Sequence, residues 1–322
     1  MRCRRNDWPA SGRDWRRARY IASPWQEGEL QRIDPDARLL IAGTGLTMVD
    51  VLATLRRQGH RGEIVALSRH GLLPQRHTKD AADPIELPPS VRQALRAQDL
   101  HALVSALRSV AKIMEDWRPL VDALRTHTQA FWRGLTPVQR GRFLRHVRVY
   151  WEIHRHRMAP RAAAEVDAMR ASGQLRLVAG HLLRAGVSGD RVSVVYRRRG
   201  SDTADAGMFD GLVRATGLDT DITRTTHPLI QHLYATGTLA ADPLGLGLHV
   251  TAAGEVIDAR RRPVAGLYCI GALARGESWE MTAIAELRDA VHTLAKRLRL
   301  SPQALADAPA AAAWPARAAR SD

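Results

Sequence analysis

The sequence is short of cysteine and of long apolar runs, and each shortage removes a class of function. Its two cysteines, Cys3 and Cys269, lie far apart with no C-x-x-C pair. Neither a local zinc knuckle nor a dithiol redox motif can be built from them, and Cys269, set in an apolar run, reads as a small buried hydrophobe. No run approaches the roughly 20 apolar residues of a membrane span. The N-terminus is rich in Arg and Trp but has no apolar stretch behind its charges, so no secretory signal is expected. A cytoplasmic protein with no membrane partner is the expectation. No Ser-His-Asp grouping, carboxylate pair or metal-ligand cluster can be assembled. The residues therefore nominate no catalytic group, no metal site and no substrate.

What is present is the composition of a globular protein. The chain has 322 residues, 45% hydrophobic and 25% charged, enough for a sizeable core and two domains. Its formal charge of +15 would suit a nucleic-acid partner. Yet Lys79, Lys112 and Lys296 are the sole lysines, and the arginines are dispersed in an Ala-rich background. That pattern reads as a compositional habit, and an Arg-rich nucleic-acid binder stays only as a contrasting reading.

The most informative stretch is Arg38-Leu39-Leu40-Ile41-Ala42-Gly43-Thr44-Gly45-Leu46-Thr47-Met48-Val49-Asp50. It reads as a buried strand, a glycine turn and the start of a helix, the order that a dinucleotide pyrophosphate needs. Leu46, Val49, Leu52 and Ala53 continue at helical spacing to Gly59, and a second apolar strand, Glu63-Ile64-Val65-Ala66-Leu67, follows. Strand, glycine turn, helix and strand within about 30 residues make a β-α-β unit. Its bland alternative is the same unit with no ligand. Gly43, Thr44, Gly45, Leu46 and Thr47 are the candidate phosphate cradle.

Two departures qualify the G-x-G-x-x-G pattern. Met48 holds the third glycine position, so the helix is expected to pack less closely on its strand. The second strand ends in Ser68-Arg69-His70 where an acidic residue would accept from a ribose 2′-hydroxyl. A hydroxyl and a guanidinium suit a 2′-phosphate, so NADP rather than NAD is the expected cofactor, with Ser68, Arg69 and Arg76 near the phosphate. The alternative is that Arg69 is one more surface arginine.

Residues 85–160 change to Ala/Leu/Arg-rich segments, which predict helices over about 89–128 and 136–158 broken by Pro119 and Gly134. Phe131, Trp132, Phe143, Tyr150 and Trp151 are expected to pack between helices. His154 and His156, two apart, point about 200° from one another on a helix and make a poor metal pair. The run His154-Arg155-His156-Arg157 before Pro160 is either a solvated helix end that complements the dipole or a cationic patch facing a phosphate or carboxylate.

Strand patterns return at Leu175–Ala179 and Arg191–Tyr196, then at Asp210-Gly211-Leu212-Val213-Arg214-Ala215-Thr216-Gly217, where a strand runs into a small-residue turn. Such a turn lets a ligand come close, which makes Thr216 and Gly217 candidates. From Gly266 a strand, a glycine-containing loop and a helix to about Leu298 offer a second anion site. Residues 1–37 read as a connecting segment, and 301–322, dominated by Ala and Pro, as a disordered tail.

Together these motifs resemble the bacterial FAD/NAD(P)-binding proteins, mostly uncharacterised, within the wider group of flavoproteins with two dinucleotide-binding domains. The matching residues are Gly43–Asp50, Ser68-Arg69-His70-Gly71-Leu72-Leu73-Pro74, Asp116-Trp117-Arg118, Arg142–His146, His154–Pro160, Ala215-Thr216-Gly217 and Trp279-Glu280. The resemblance implies an α/β fold in which a Rossmann-like NADP-binding domain, residues 38–217 with a helical insertion at about 85–160, is set into an FAD-binding domain. Residues 1–37 would be a linker or remnant of that domain and 218–300 its C-terminal part. Gly271, Trp279, Glu280 and Thr282 would then approach the flavin. The implied activity is an oxidoreductase passing hydride from NADPH to flavin, with N-oxidation of an amine or amino acid as one candidate reaction. Members of the family open with a first strand–GxGxxG–helix unit for FAD, and nothing before Arg38 reads as one. A truncated gene, a misassigned start, or a partner protein supplying the FAD half is therefore expected, and so is weak or absent FAD binding by this chain alone. The contrasting reading is a non-catalytic dinucleotide-binding remnant.

Overall fold

Leu39, Leu40, Ile41 and Ala42 are all buried, and their side chains divide between two cores, as a strand covered on both faces requires. This strand, β2 (Leu39–Ala42), anchors a seven-stranded sheet. The structure is a computed structural model that describes residues 19–78 and 85–299. Cys3, Lys79 and the tail expected at 301–322 lie outside the described residues.

The other strands are β1 (Tyr20–Ile21), β3 (Ile64–Ser68), β4 (Leu175–Ser188), β5 (Arg191–Arg198), β6 (Asp205–Phe209) and β7 (Gly211–Arg214), in the spatial order β1-β7-β2-β3-β4-β5-β6. The pairs from β1 to β4 are parallel, and β4, β5 and β6 form an antiparallel meander. Helix α1 (Leu46–Arg57) crosses from β2 to β3 and buries Met48, Val49, Val51, Leu52 and Leu55. Met48 is fully buried in the cluster that joins α1 to Leu39 and Ile41, so it occupies the space that a third glycine would leave between helix and sheet. The opposite face packs Leu40, Val65, Leu67 and Leu212 against Val192, Val194, Tyr196 and Phe209 of the meander.

The expected α/β class with a parallel sheet is what forms; β2, β3 and β7 fall where they were expected, whereas β4 runs nine residues past the expected Ala179, and β1, β6 and a strand at Glu255–Ile257 were not read from the sequence. The helices are cut differently. They run Pro89–Arg96 (α2), Leu100–Ile113 (α3), Arg118–Gly134 (α4), Pro137–Arg142 (α5) and Arg148–Arg155 (α6), with a π-helical turn at Phe143–Val147 between the last two. Pro119 opens α4 rather than breaking a helix, since a proline costs nothing in a first turn, where the N–H has no partner. The stretch 89–128 is broken twice: at 97–99, where the non-glycine residue Gln98 has φ of 53°, and at 114–117, just ahead of Pro119. Pro160 likewise starts a helix, α7 (Pro160–Ala171), which buries Ala163, Val166 and Met169 beneath the sheet.

The chain divides into two compact units. The first comprises residues up to 86 with 114–123 and 143–218, and holds the sheet; the second comprises 87–113, 124–142 and 219 onward. Two segments of the helical stretch thus group with the later chain. Phe131 and Trp132 are buried in the second unit, while Phe143, Tyr150 and Trp151 belong to the first, Phe143 buried and Tyr150 exposed. The second unit also contains α8 (Pro228–Ala235), the hairpin of β8 (Glu255–Ile257) and β9 (Pro263–Tyr268), and α9 (Ile284–Arg299). Its core joins Ile222, Leu239, Leu248, Val250, Val256 and Ala274, with Cys269 half-buried beside them. Burial pushes the Cys269 thiol above its ordinary range. No described helix is long and apolar enough to cross a membrane.

Candidate functional site

The carboxyl ends of β3, β2 and β7 lie side by side, because β2 pairs in parallel with both neighbours. After β2 the chain builds outward through β3 and β4, then returns through the meander to β7 on the other side. The reversal makes the end of β2 a topological switch point, where open α/β sheets leave a crevice for a ligand. Gly43–Thr47, Ser68–Arg69 and Thr216–Gly217 all sit on this edge.

Gly43 has φ of 118°, and a Cβ on it would run into the carbonyl of Ala215. Its N–H donates to Leu67 O at 2.8 Å, and the N–H of Ala215 donates to Ala42 O at 2.8 Å. The residue is glycine because β7 passes so close. Gly45 differs: its φ is −83°, and no atom lies within 4 Å of where a Cβ would stand. It is the N-cap of α1, offers no side-chain cap, and no acidic residue occupies the first turn. The N–H groups and positive dipole end at Leu46 and Thr47 thus face open space. Gly217, φ 78°, is equally open.

Thr44 is buried and ties the turn together. Its hydroxyl donates to Leu72 O at 2.6 Å and lies 2.8 Å from Ser68 Oγ, which accepts from the N–H of Gly71 at 3.0 Å. Ser68 is thereby fixed at the end of β3. Arg69 is exposed beside it. His70 receives a hydrogen bond at Nδ1 from Nη1 of Arg199, 3.4 Å away. Burial, then the charges of Arg69, Arg199 and His181, hold the His70 imidazole below its ordinary proton affinity. Arg199 and His181 were not apparent from the sequence as site residues; the run Arg197-Arg198-Arg199-Gly200 closing a strand was the one available signal. Arg76 is placed elsewhere: it bridges to Met158 and is ion-paired with Asp167.

The His/Arg run at 154–157 is packed within the first unit. His154 stands edge-on to Trp117 at 4.5 Å between ring centroids, and Trp117 also carries the guanidiniums of Arg118 and Arg157 at 4.9 and 5.2 Å. Arg157 is buried, donating to both Asp122 carboxylate oxygens and to His154 O. Among the described residues, no group of three or more His, Cys, Asp or Glu is placed to hold a metal.

In the second unit Gly271, φ 108°, caps a short 3-10 turn and has open space about its Cα, and Thr282 is exposed. Trp279 and Glu280 are buried. The Trp279 ring packs on Trp132 at 4.7 Å and under the Arg275 guanidinium at 4.2 Å. Trp132 Nε1 and Arg140 Nη1 both donate to Gly276 O, at 2.9 and 3.1 Å. Those aromatic side chains are committed to the packing of the unit.

No protein-family model matches the sequence, and no curated protein matches it. Solved structures do. The reduced form of an ornithine hydroxylase from Pseudomonas aeruginosa is 14% identical with a TM-score of 0.52, over 92% of this chain and 60% of that one. L-lysine 6-monooxygenase from Pseudomonas syringae is 15% identical with a TM-score of 0.52, over 92% and 62%. A cadaverine monooxygenase from Erwinia amylovora, solved bound to FAD, is 12% identical with a TM-score of 0.50, over 90% and 57%. The chain spans about three fifths of the length of these proteins. At such identities the likeness is one of fold, the α/β architecture with its parallel sheet.

Proposed function

We propose that the carboxyl edge of the sheet binds NADP(H), with NAD(H) as the weaker ligand, and that the chain is the dinucleotide-binding part of a flavin-dependent oxidoreductase of the monooxygenase kind. The observation that carries this reading is the convergence of an uncapped helix N-terminus, a glycine with open space above it and a small-residue turn at the switch point of a parallel sheet. A pyrophosphate fits there: the N–H groups of Leu46 and Thr47 would hold it, Gly45 leaves it room, and Gly217 opens the far wall. Thr44 acts on the ligand indirectly, by fixing Ser68.

For FAD the fit is partial. Gly271 and Thr282 are open to a ligand, whereas Trp279 is engaged in packing and Glu280 is buried, so their proposed part is to shape the loop rather than to touch the flavin. A bound flavin would supply the hydride acceptor. The exposed Ile284 and Val291 of α9 are proposed to meet a segment that completes the FAD-binding half. The likeness to an ornithine hydroxylase and to lysine and cadaverine monooxygenases makes N-oxidation of an amino acid or diamine the reaction class to test first.

Titration of the purified chain with NADPH and NADH by calorimetry is the deciding experiment. Micromolar to submillimolar NADPH binding is expected; absence of binding by both nucleotides at millimolar concentration overturns the proposal. A visible flavin spectrum bleached by NADPH identifies an oxidoreductase, and a colourless protein that binds NADPH identifies a dinucleotide-binding protein without flavin chemistry.

A further inference from the structure

The turn after β3 gathers basic side chains from three separate stretches of chain. Arg69 and His70 belong to the turn. β4 runs on past the end of β3: Ser68 pairs with Ala179, and two residues later His181 lies opposite Arg197 of β5. The N–H of Arg199 then donates to Ala179 O at 2.8 Å, which draws Arg199 alongside the turn. Gly71 allows the close approach, with φ of 63° and an ideal Cβ 3.1 Å from that of Ala179. From α6 the ring of Tyr150 faces His70 at 6.1 Å.

Arginine has no acceptor, so the 3.4 Å contact from Arg199 Nη1 requires a lone pair on His70 Nδ1. His70 is therefore neutral in this arrangement, with its proton on Nε2. Protonation would place a third cation against Arg69 and Arg199 and would break the Arg199 contact. Burial first, then the charges of Arg69, Arg199 and His181, lower its proton affinity. Arg69 and Arg199 enter no ion pair among the described residues, and two such guanidiniums one strand from the Gly45 turn suit a dianion.

We infer that this corner holds the 2′-phosphate of the dinucleotide between Arg69 and Arg199, and that His70 takes up one solvent proton as the phosphate arrives. The inference rests on the dinucleotide reading above. Its consequence is that preference for NADPH over NADH weakens as pH rises. Without ligand, burial and the neighbouring cations hold the imidazole below its ordinary proton affinity; facing a dianion its proton affinity rises. Between those two limits binding consumes a proton and tightens as pH falls. The phosphate's own second ionisation is near 6, so it stays dianionic above about pH 7.

The test is calorimetric titration of the full chain with NADPH and NADH at pH 7.0 and 8.5, each in two buffers of different ionisation heat. Net proton uptake is expected with NADPH and not with NADH, and the affinity ratio should fall about threefold to tenfold over this range. In Arg199→Gln, NADPH should bind about tenfold or more weakly, as for a lost charged hydrogen bond, with NADH unchanged and Arg199→Lys partly restoring the difference. His70→Gln should bind NADPH with no uptake and a flat ratio. Equal loss of both nucleotides in Arg199→Gln, or a wild-type pH dependence in His70→Gln, overturns the inference while the dinucleotide site stands. If neither nucleotide binds the parent chain, both readings fall.

Discussion

The two glycines of the first turn should fail in opposite ways when a side chain is added. At Gly43 an alanine would be held at φ of 118° with its Cβ against the Ala215 carbonyl. The dihedral strain costs on the order of 1–3 kcal/mol, and overpacking against backbone adds roughly 1–3 kcal/mol. Relief would require β7 to move from β2, at the expense of the Ala215-to-Ala42 hydrogen bond. Gly43→Ala should therefore lose about 2–6 kcal/mol from a stability of about 5–15 kcal/mol. At Gly45 the backbone is ordinary and the space is open. An aspartate there would cap the free N–H groups of α1 and complement its dipole, a gain of about 0.5–1 kcal/mol. It would also put a carboxylate where the pyrophosphate is proposed to lie. Urea unfolding followed by NADPH titration separates the two: Gly43→Ala should be unstable, and Gly45→Asp should be at least as stable as the parent yet bind NADPH at least about tenfold more weakly, a deficit of about 1.4 kcal/mol. A Gly45→Asp protein with parental affinity would refute the placement of the phosphate, and a Gly43→Ala protein of parental stability would refute the account of the turn.

Restoring the third glycine of the motif should harm the protein: Met48→Gly empties a fully buried site and weakens a helix interior, together about 3–6 kcal/mol in urea unfolding. His60 is buried with Nε2 on Ala37 O at 3.1 Å, and burial holds its pKa below the ordinary 6.5. The unfolded chain thus takes up this proton first, so the contribution is complete above about pH 6.5 and is lost as pH falls from there to the native value. Urea midpoints should drop between pH 7.5 and 5.5, and by less in His60→Gln. Trp132→Phe removes one of two donors to Gly276 O; because Arg140 still donates, the loss should be about 1 kcal/mol, read by thermal melting.

What was legible in the sequence was what the chain settles locally. β2, the glycine turn, α1 and β3 form one uninterrupted run of 30 residues, so apolar period and glycine placement were enough to read it. Pairing across long separations was not legible. Nothing in Gly211–Arg214 says that it pairs with Leu39–Ala42, yet that pairing puts Ala215 against Gly43 and so brings Thr216 and Gly217 to the same edge. Nor does Arg199 advertise itself among so many arginines; only the extension of β4 past β3 sets it on His70, 129 residues away. Proline marked the breaks but not the side it belongs to: Pro119 and Pro160 each stand in the first turn of the next helix. The grouping of the helical segments was not legible for a similar reason: α2 and α3 resemble an insertion in sequence, and which unit they join is decided by packing.

The position of β2 between β3 and β7 has a consequence for the ribosome. Its first partner is made at once, but the hydrogen bond from Arg38 to Asp210 that opens the second pairing spans 172 residues. At about 5–20 residues per second this is on the order of 10–35 s of translation. Throughout that time a wholly apolar strand has one bare edge and no means of covering it from its own chain, the situation in which strands recruit one another between nascent molecules. The architecture that sets three strand ends side by side thus also sets how long each new copy must be kept from its neighbours.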